Sequence, residues 1–358
     1  MKVLALKPSF YFPSNGGEIE LLEKFQELKK RGHEVLVEGF CTPQDQIQLE
    51  ILLNQAGWEA LKNSQYELLG VKVKLHVDSL FLQHDVASQP FFESHLREVI
   101  TAHSPDEVWV HYTDYFAVAA ALHWNPKKTW VRFTDNEYPR PAKLKDFPSL
   151  TAAYEAISNV QVTSKFMMDV VAKDFPQAEL RRIPNWLPVL DEKPERIPQA
   201  GEYFLFVNPA VVKGFEFILQ LAAELPEEKF LVIGNWAGET PKGLPANIQF
   251  QGRQPSLKKF YENAKVLLMP SVWEEAFGRL PLEAMAQGVP VIASDRGNLP
   301  ETLGGGGQAL PLELSRWKEA LAKMPLERKD WQERGFQRIR VYREEADQIF
   351  TNRFGGRV

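Results

Sequence analysis

Short apolar runs alternate with amphipathic stretches of helical length along this chain. Apolar runs cover residues 2–6 and 34–40, as expected for two strands. Between them, residues 18–31 place apolar side chains three or four positions apart, which is typical of a helix. A strand, a helix and a further strand in this order form a βαβ unit. The pattern therefore predicts a parallel sheet covered by helices.

The same alternation continues through both halves of the chain. Further strands in the first half are predicted at 71–77, 107–112, 129–134, 159–163 and 181–183. Residues 184–201 are rich in proline and have no apolar periodicity, which indicates a linker. After it, strands are predicted at 203–207, 229–233, 248–250, 266–269 and 289–293, with helices at 215–225, 256–263, 281–287 and 326–354. The chain is therefore predicted to form two doubly wound α/β domains, with a boundary near residue 195.

Composition narrows the class of protein. Hydrophobic residues make up 44% and charged residues 25%, ordinary values for a soluble globular protein. The formal net charge of −5 argues against a nucleic-acid partner. Cys41 is the single cysteine, and no apolar run is long enough to span a membrane, so we expect a cytoplasmic protein. The mixed charges of 18–31 predict a surface helix that faces the core, and they do not indicate membrane contact.

The most informative segment follows the strand predicted at 266–269. Pro281 stands where the first helical residue is expected, so the backbone amides of 277–280 would lie at a helix N-terminus. Such amides attract phosphate, whereas the carboxylates of Glu275 and Glu283 suit sugar or ribose hydroxyls. From spacing alone the alternative is equally good: Glu283 complements the helix dipole, and Glu275 is a solvated loop acid.

Residues 270–283 resemble the E-x7-E signature of retaining glycosyltransferases of family 4, which have the GT-B fold. The continuation at 284–294 matches the same family, as do Gly16-Gly17, Lys213-Gly214 and the segment 182–185. These matches extend from residue 16 to residue 301 in the order of the predicted elements.

The resemblance implies two Rossmann-like α/β domains that face each other across a cleft. Residues 1–195 would form the N-terminal acceptor-side domain and 196–335 the C-terminal nucleotide-sugar-binding domain. Residues 336–358 would be a C-terminal helix and tail, with the helix returning to the N-terminal domain.

The resemblance also assigns roles in donor binding. Glu283 would hold the ribose hydroxyls, and Glu275 would contact the transferred sugar as a catalytic residue. Lys213 would neutralise the departing diphosphate, which gains charge in the transition state. The remaining donor-binding positions are the amides of Phe277, Gly278, Arg279 and Leu280, and the loop at Gly16 and Gly17.

One position departs from the family pattern. Many members carry an arginine five residues before the lysine, where this chain has Asn208. An amide can hydrogen-bond a phosphate but supplies no charge. Arg279 or Arg253 would then compensate, transfer would be slower, or the protein would bind donors without turnover.

The acceptor side is less defined. Many relatives have a histidine near the segment 132–138, where this chain has Arg132 and Asp135. Asp135 is the third predicted catalytic residue, either orienting the acceptor hydroxyl or binding the donor sugar. The alternative is that Asp135 only caps its loop. His111 is a weaker candidate than Asp135 for a role in the site. No Asp-x-Asp pair or His/Cys cluster is present, so we expect no metal and no cofactor.

These observations predict a metal-independent retaining hexosyltransferase. It would move a hexose from a UDP- or GDP-sugar to a hydroxyl acceptor, such as a glycan or glycolipid precursor. Two alternatives remain: a sugar-nucleotide-binding partner subunit with little activity, and a sugar-nucleotide epimerase that shares the two-domain fold. The sequence indicates no oligomeric state.

Overall fold

The computed structural model describes residues 1–8, 16–44, 46–47, 50–51, 65–77, 89–135, 148–191, 197, 201–234, 241–252, 254 and 256–358. The chain forms two compact units. Unit 1 comprises Met1–Trp186 together with Gln348–Val358, and unit 2 comprises Leu187–Asp347. The boundaries near 195 and 335 stay predictions from the sequence.

Unit 1 is built on a sheet in which eight strands are described, in the order β3-β4-β2-β1-β5-β6-β7-β8. All neighbouring strands are parallel except β3 and β4. The strands are β1 Lys2–Pro8, β2 Glu34–Cys41, β3 Gln65–Leu68, β4 Val71–Val77, β5 Glu107–His111, β6 Thr129–Phe133, β7 Asn159–Val162 and β8 Glu179–Arg182. The predicted strands are therefore present, and β3 is an addition that the sequence pattern did not indicate.

Helices connect the parallel strands of unit 1. Those described are α1 Gly16–Lys30, α2 Gln89–His103, α3 Tyr115–Trp124, α4 Pro148–Glu155 and α5 Lys165–Asp174. Helix α3 is buried along most of its length because its central residues are alanine, valine and leucine. Its small side chains allow close packing on the sheet.

Helix α1 was predicted from its mixed charges to be a surface helix that faces the core. Its acidic residues Glu18, Glu20, Glu23 and Glu27 are all buried. Burial of a carboxylate requires partners. The partners of Glu20 are Lys24 and Arg132, and Glu27 pairs with Arg31 at 2.9 Å. The pattern of charges therefore encodes internal ion pairs.

The C-terminal end of the chain packs on unit 1, as the resemblance implied. The Arg31 guanidinium donates to the Thr351 hydroxyl and to the Gly355 carbonyl, at 2.8 and 2.7 Å. The Arg353 guanidinium lies 3.1 Å from a carboxylate oxygen of Glu107. Glu107 also pairs with the buried Arg181 at 2.7 Å, so the terminal segment joins an ion pair inside unit 1.

Unit 2 is a parallel sheet in which six strands are described, in the order β11-β10-β9-β12-β13-β14. They are β9 Tyr203–Val207, β10 Phe230–Ile233, β11 Ile248–Gln251, β12 Ala264–Met269, β13 Val291–Ser294 and β14 Gln308–Leu310. The chain leaves β9 toward β10 on one side and leaves β12 toward β13 on the other. Strands β9 and β12 therefore form a topological switch point, where ligands of open α/β sheets bind.

The helices described in unit 2 are α6 Phe215–Glu224, α7 Lys258–Tyr261, α8 Arg279–Ala286, α9 Leu299–Leu303 and α10 Leu314–Phe354, whose last residues belong to unit 1. Helix α10 begins well before the predicted residue 326 and continues through Pro325. Proline ordinarily interrupts a helix, which is why the sequence pattern placed the start after it. Trp317 on this helix is fully buried against Phe217, and this packing supports the longer helix. The mixed α/β fold class expected from the sequence, with two Rossmann-like bodies, is confirmed.

Candidate functional site

The candidate site lies in unit 2, beyond the carboxyl ends of β9 and β12. Residues 208–214 follow β9, and residues 270–278 follow β12. The two loops contact each other, because the backbone amides of Val272 and Trp273 donate to the Val212 carbonyl at 3.0 and 3.3 Å. The switch point therefore brings together residues far apart in sequence.

Gly214 allows this close approach. Its φ is +84°, and a Cβ at this position would lie 1.8 Å from the Pro270 carbonyl oxygen. No side chain fits there without moving backbone. Lys213 directly precedes this glycine and ends the 3-10 turn Val211–Lys213. The glycine therefore fixes where the lysine side chain begins.

Lys213 and Glu275 form an ion pair at the centre of the site. The ammonium Nζ of Lys213 lies 2.6 Å from Oε1 of Glu275, and the side chains are 15% and 9% exposed. The Ser271 hydroxyl donates to the same carboxylate oxygen at 2.7 Å. The ring of Trp273 lies under the ammonium, with 4.4 Å between Nζ and the ring centroid. Two of the three predicted catalytic residues are therefore in direct contact.

The loop after β13 holds Glu275 from the other side. The Asn298 backbone amide donates to the Glu275 carbonyl at 2.7 Å. A Cβ on Gly297 would lie 2.4 Å from that same carbonyl oxygen, so only glycine permits this packing. The backbone of Glu275 is thus fixed independently of its side chain.

The turn at Phe277-Gly278 leads into helix α8. Asn298 Nδ2 donates to the Phe277 carbonyl at 3.3 Å, and the Thr302 hydroxyl donates to it as well. Gly278 caps the helix with φ +85°. The helix begins at Arg279, so Pro281 is its third residue, whereas the sequence placed Pro281 first. The first four amides of a helix have no partner inside it, so proline is tolerated at either position.

Arg279 and Glu283 form the second ion pair of the site. Nε of Arg279 lies 2.6 Å from Oε1 of Glu283, one helical turn later, and both side chains are partly buried. Tyr261 on α7 is 2% exposed. Burial and the negative charge of Glu283 raise the pKa of the Tyr261 phenol well above its ordinary value. Tyr261 therefore faces Glu283 as a neutral hydroxyl.

Asn208 occupies the position where the family pattern has an arginine. Its φ of +67° lies in the left-handed region, and its backbone amide donates to the Ile233 carbonyl at 2.8 Å. Within the described part of the chain, its buried side-chain oxygen Oδ1 has no hydrogen-bond partner. Leu280, the last of the predicted donor-binding amides, lies in the first turn of α8. Arg253 lies outside the described residues.

The predicted acceptor-side residues lie in unit 1, beyond the carboxyl ends of β5 and β6. The Tyr112 phenol donates a hydrogen bond to a carboxylate oxygen of Asp135. His111 contacts the hydroxyls of Thr113 and Thr134 through its two ring nitrogens, at 2.6 and 2.7 Å. Burial, with the nearby positive charges of Lys7 and Arg132, holds the pKa of His111 well below its ordinary value.

Beside these residues, unit 1 has its own switch point between β1 and β5. Lys7 at the end of β1 lies 3.3 Å from Asp114 and 3.6 Å from Glu18. Burial alone would lower the pKa of Lys7, but the two acids outweigh it and the pKa is raised. Gly16 and Gly17 form the first turn of α1, directly before Glu18.

Sequence reasoning missed several side chains that shape the unit 2 site. Ser271 and Trp273 lie inside the recognised segment but carry no charge, so neither attracted attention. Asn298, Thr302 and Tyr261 come from other elements, and their proximity depends on the folded sheet. The one signal in the sequence was Ser271, a hydroxyl residue four positions before Glu275.

Two further properties bear on the chemistry. In the residues that the structure describes, no group of three or more His, Cys, Asp or Glu side chains is arranged to hold a metal ion. The helices of the same residues include none that is long and apolar enough to cross a membrane.

Comparison with known proteins agrees with the geometry of unit 2. Residues 190–331 match the family model described as glycosyl transferases group 1, so the chain contains a domain of this kind. A lipopolysaccharide core biosynthesis mannosyltransferase from Rhizobium meliloti is 41% identical over 73 residues, 20% of each chain. A D-inositol 3-phosphate glycosyltransferase from Corynebacterium jeikeium is 30% identical over 139 residues, 32% of this chain and 33% of that protein. These matches thus span a third or less of the relatives' length.

Solved structures match over nearly the whole chain. Sucrose-phosphate synthase from Thermosynechococcus elongatus has a TM-score of 0.72 at 16% identity, covering 99% of this chain and 98% of that chain. HepE from Anabaena, in complex with UDP and glucose, has a TM-score of 0.69 at 18% identity, covering 99% and 97%. At such low identity these likenesses establish the fold alone.

Proposed function

We propose that this chain is a retaining glycosyltransferase of family 4 that moves a hexose from a UDP- or GDP-sugar to a hydroxyl acceptor. The observation that carries the proposal is the Lys213–Glu275 contact at the switch point of unit 2. A cation and an acid side by side suit a ligand that carries a diphosphate next to a sugar. The group 1 match over 190–331 covers this site.

Lys213 acts on the leaving group. The bond between the anomeric carbon and the phosphate oxygen breaks, and the nucleoside diphosphate gains negative charge as it departs. An ammonium that donates to the phosphate stabilises this charge most in the transition state. Arg279 supplies a second cation at the start of α8. With these two groups, the proposed reaction is independent of a metal ion.

The two acids recognise hydroxyl groups. Glu275 accepts hydrogen bonds from the transferred sugar and orients the anomeric carbon, while Glu283 accepts from the ribose. The Phe277–Leu280 backbone, fixed by Asn298 and Thr302, faces the sugar and the diphosphate. The side-chain amide of Asn208 provides a neutral contact in place of an arginine. Positioning of this kind accounts for much of the catalysis in group transfer.

The acceptor hydroxyl attacks the same face from which the diphosphate leaves, so the anomeric configuration is retained. Its oxygen bonds to the anomeric carbon, and its proton passes to the departing phosphate oxygen. In unit 1, Asp135, whose carboxylate accepts a hydrogen bond from the Tyr112 phenol, orients the acceptor hydroxyl. The acceptor class that we propose is a glycan or glycolipid precursor, in line with the names of the lipopolysaccharide and inositol relatives.

A single variant tests the proposal. Glu275→Ala should reduce kcat/KM for transfer by at least about 10²–10³-fold, because the sugar loses its orienting partner. Glu313→Ala, which removes an exposed acid of the same unit, should leave transfer unchanged. The assay follows sugar transfer from a panel of nucleotide sugars to oligosaccharide and lipid-linked acceptors. Unchanged turnover in Glu275→Ala, or donor binding without any transfer in the wild type, would contradict the proposal.

A further inference from the structure

We propose that Glu275 is an internal competitor of the diphosphate for Lys213, so that the site discriminates the intact donor from the spent nucleotide. This inference rests on the proposed function and concerns the regulation of the same site. Its basis is that Lys213 already has an anionic partner within the protein.

The competition follows from one contact. Lys213 Nζ lies 2.6 Å from Glu275 Oε1, and both side chains are mostly buried. A phosphate oxygen that takes the ammonium weakens or replaces this ion pair. Trp273 keeps the ammonium in place during the exchange, because its ring face attracts a cation whichever anion is the partner.

Loss of Lys213 leaves Glu275 poorly compensated. The Ser271 hydroxyl still donates to Oε1 at 2.7 Å, but a neutral donor does not balance the charge. An acid that is 9% exposed has little access to water as a replacement. Removing one partner of a buried ion pair is unfavourable for this reason. Phosphate binding at Lys213 is therefore opposed unless Glu275 gains new donors.

The intact donor supplies those donors, whereas the spent nucleotide does not. Hydroxyls of the transferred sugar donate to Glu275 while the diphosphate occupies Lys213, so both members of the pair are satisfied. After transfer the sugar has left, and Glu275 recaptures Lys213. The ion pair therefore weakens the binding of the nucleoside diphosphate product and assists its release.

The second ion pair of the site is the matched control. Arg279 and Glu283 also lie 2.6 Å apart, both on helix α8. In the proposed pose Glu283 contacts the ribose, which remains on the nucleotide after transfer. Both members of this pair therefore keep ligand partners in donor and product alike. Glu283 contributes to the affinity for both and does not discriminate between them.

The test measures the dissociation constants of UDP, GDP and the corresponding sugar nucleotides by calorimetry. In Glu275→Gln, nucleoside diphosphate binding should tighten by about tenfold, because Lys213 no longer exchanges an anionic partner. Sugar-nucleotide binding should weaken or stay the same, so the preference for the intact donor falls. In Glu283→Gln, both ligands should bind more weakly by a similar factor.

A second variant changes the competition in the opposite direction. Ser271→Ala removes the neutral donor of Glu275, which then depends more on Lys213. Nucleoside diphosphate binding should weaken in this variant, by more than sugar-nucleotide binding does. Circular dichroism of each variant checks that the fold is retained.

The outcomes separate this inference from the proposed function. If the wild type binds the nucleotides but Glu275→Gln binds the diphosphate no more tightly, the competition is refuted and the transferase proposal stands. If the wild type binds neither nucleotides nor sugar nucleotides, the proposed function fails and this inference fails with it.

Discussion

Both units place charged side chains at the switch point of a parallel sheet, but they hold them differently. In unit 1, Glu20 contacts both Lys24 on its own helix and Arg132 on β6, and all three side chains are at most 5% exposed. In unit 2, Lys213 and Arg279 pair with acids on loops and at a helix start, with more of each cation accessible. The same topology thus supports one network that is enclosed and one that a ligand can reach.

The two networks differ in whether a charged side chain can exchange its partner for another. An enclosed charge with partners on several elements stabilises the packing of those elements and has no route to a new partner. A cation near the mouth of a site can exchange its protein partner for an anion of the ligand when the ligand also supplies donors to the displaced acid. We therefore expect unit 1 charges to affect folding and unit 2 charges to affect ligand binding.

The largest expected effect comes from breaking the enclosed network. Glu20→Gln removes the acid that Lys24 and Arg132 share, and burial already lowers the pKa of Lys24 to about 8 with Glu20 present. The free energy of unfolding should fall by about 3–5 kcal/mol. Hydrogen exchange of helix α1 measures the loss directly.

The matched variant is Glu275→Gln in unit 2. It should reduce the free energy of unfolding by only about 1 kcal/mol, because Gln keeps the Ser271 hydrogen bond and the Lys213 ammonium reaches solvent. Equal losses in the two variants would show that the two networks do not differ in kind.

A smaller effect is expected from the backbone that forms the unit 2 site. Gly214→Ala introduces a Cβ that would meet the Pro270 carbonyl, on a residue with φ +84°. The left-handed conformation costs about 1 kcal/mol for alanine, and the clash adds roughly 1–3 kcal/mol as the loop shifts. We expect lower thermal stability and weaker nucleotide binding together.

Gly305→Ala separates the two contributions. Its φ is +83°, and its Cβ would meet nothing within 4 Å. Only the conformational part of the loss should remain, and nucleotide binding should be unaffected. If Gly305→Ala is as harmful as Gly214→Ala, the contact with Pro270 is not what requires glycine.

Much of this organisation could be predicted from the sequence. Apolar patterns located strands such as Tyr203–Val207 and Val71–Val77 at their observed bounds, because the first is a continuous apolar run and the second alternates apolar and polar side chains. Strand β14 was not predicted, since Gln308–Leu310 is only three residues long and partly exposed. Pro325 led the sequence analysis to start α10 too late. In the folded chain, tertiary packing outweighs the low helix propensity of proline.

The candidate site could be predicted only in part. Lys213, Glu275 and Glu283 are charged, and their segments contain Gly214, Gly278 and Pro281, so the segments were recognisable. That Lys213 pairs with Glu275 depends on strand order, which spacing alone does not provide, whereas Arg279 and Glu283 stand four residues apart on one helix. The buried acids of α1 show the same limit, since a mixed-charge helix has one pattern whether its charges face water or each other.

The smallest effect expected depends on pH and again separates the units. The pKa of His111 is lowered in the folded chain, whereas in the unfolded chain it titrates near 6.5. As the pH falls below about 6.5 the unfolded state binds the extra proton, so unit 1 loses stability by up to about 1.4 kcal/mol per pH unit. The opening free energies of strand β5, from hydrogen exchange between pH 7 and 5.5, measure this slope.

Unit 2 is the internal control, because all seven histidines of the chain precede residue 187. Its opening free energies should therefore show no histidine-dependent slope over the same range. His111→Gln should flatten the slope of unit 1, since a side-chain amide can bond both threonine hydroxyls without titrating. If the stability of unit 1 still falls with pH in His111→Gln, the titrating group is not His111.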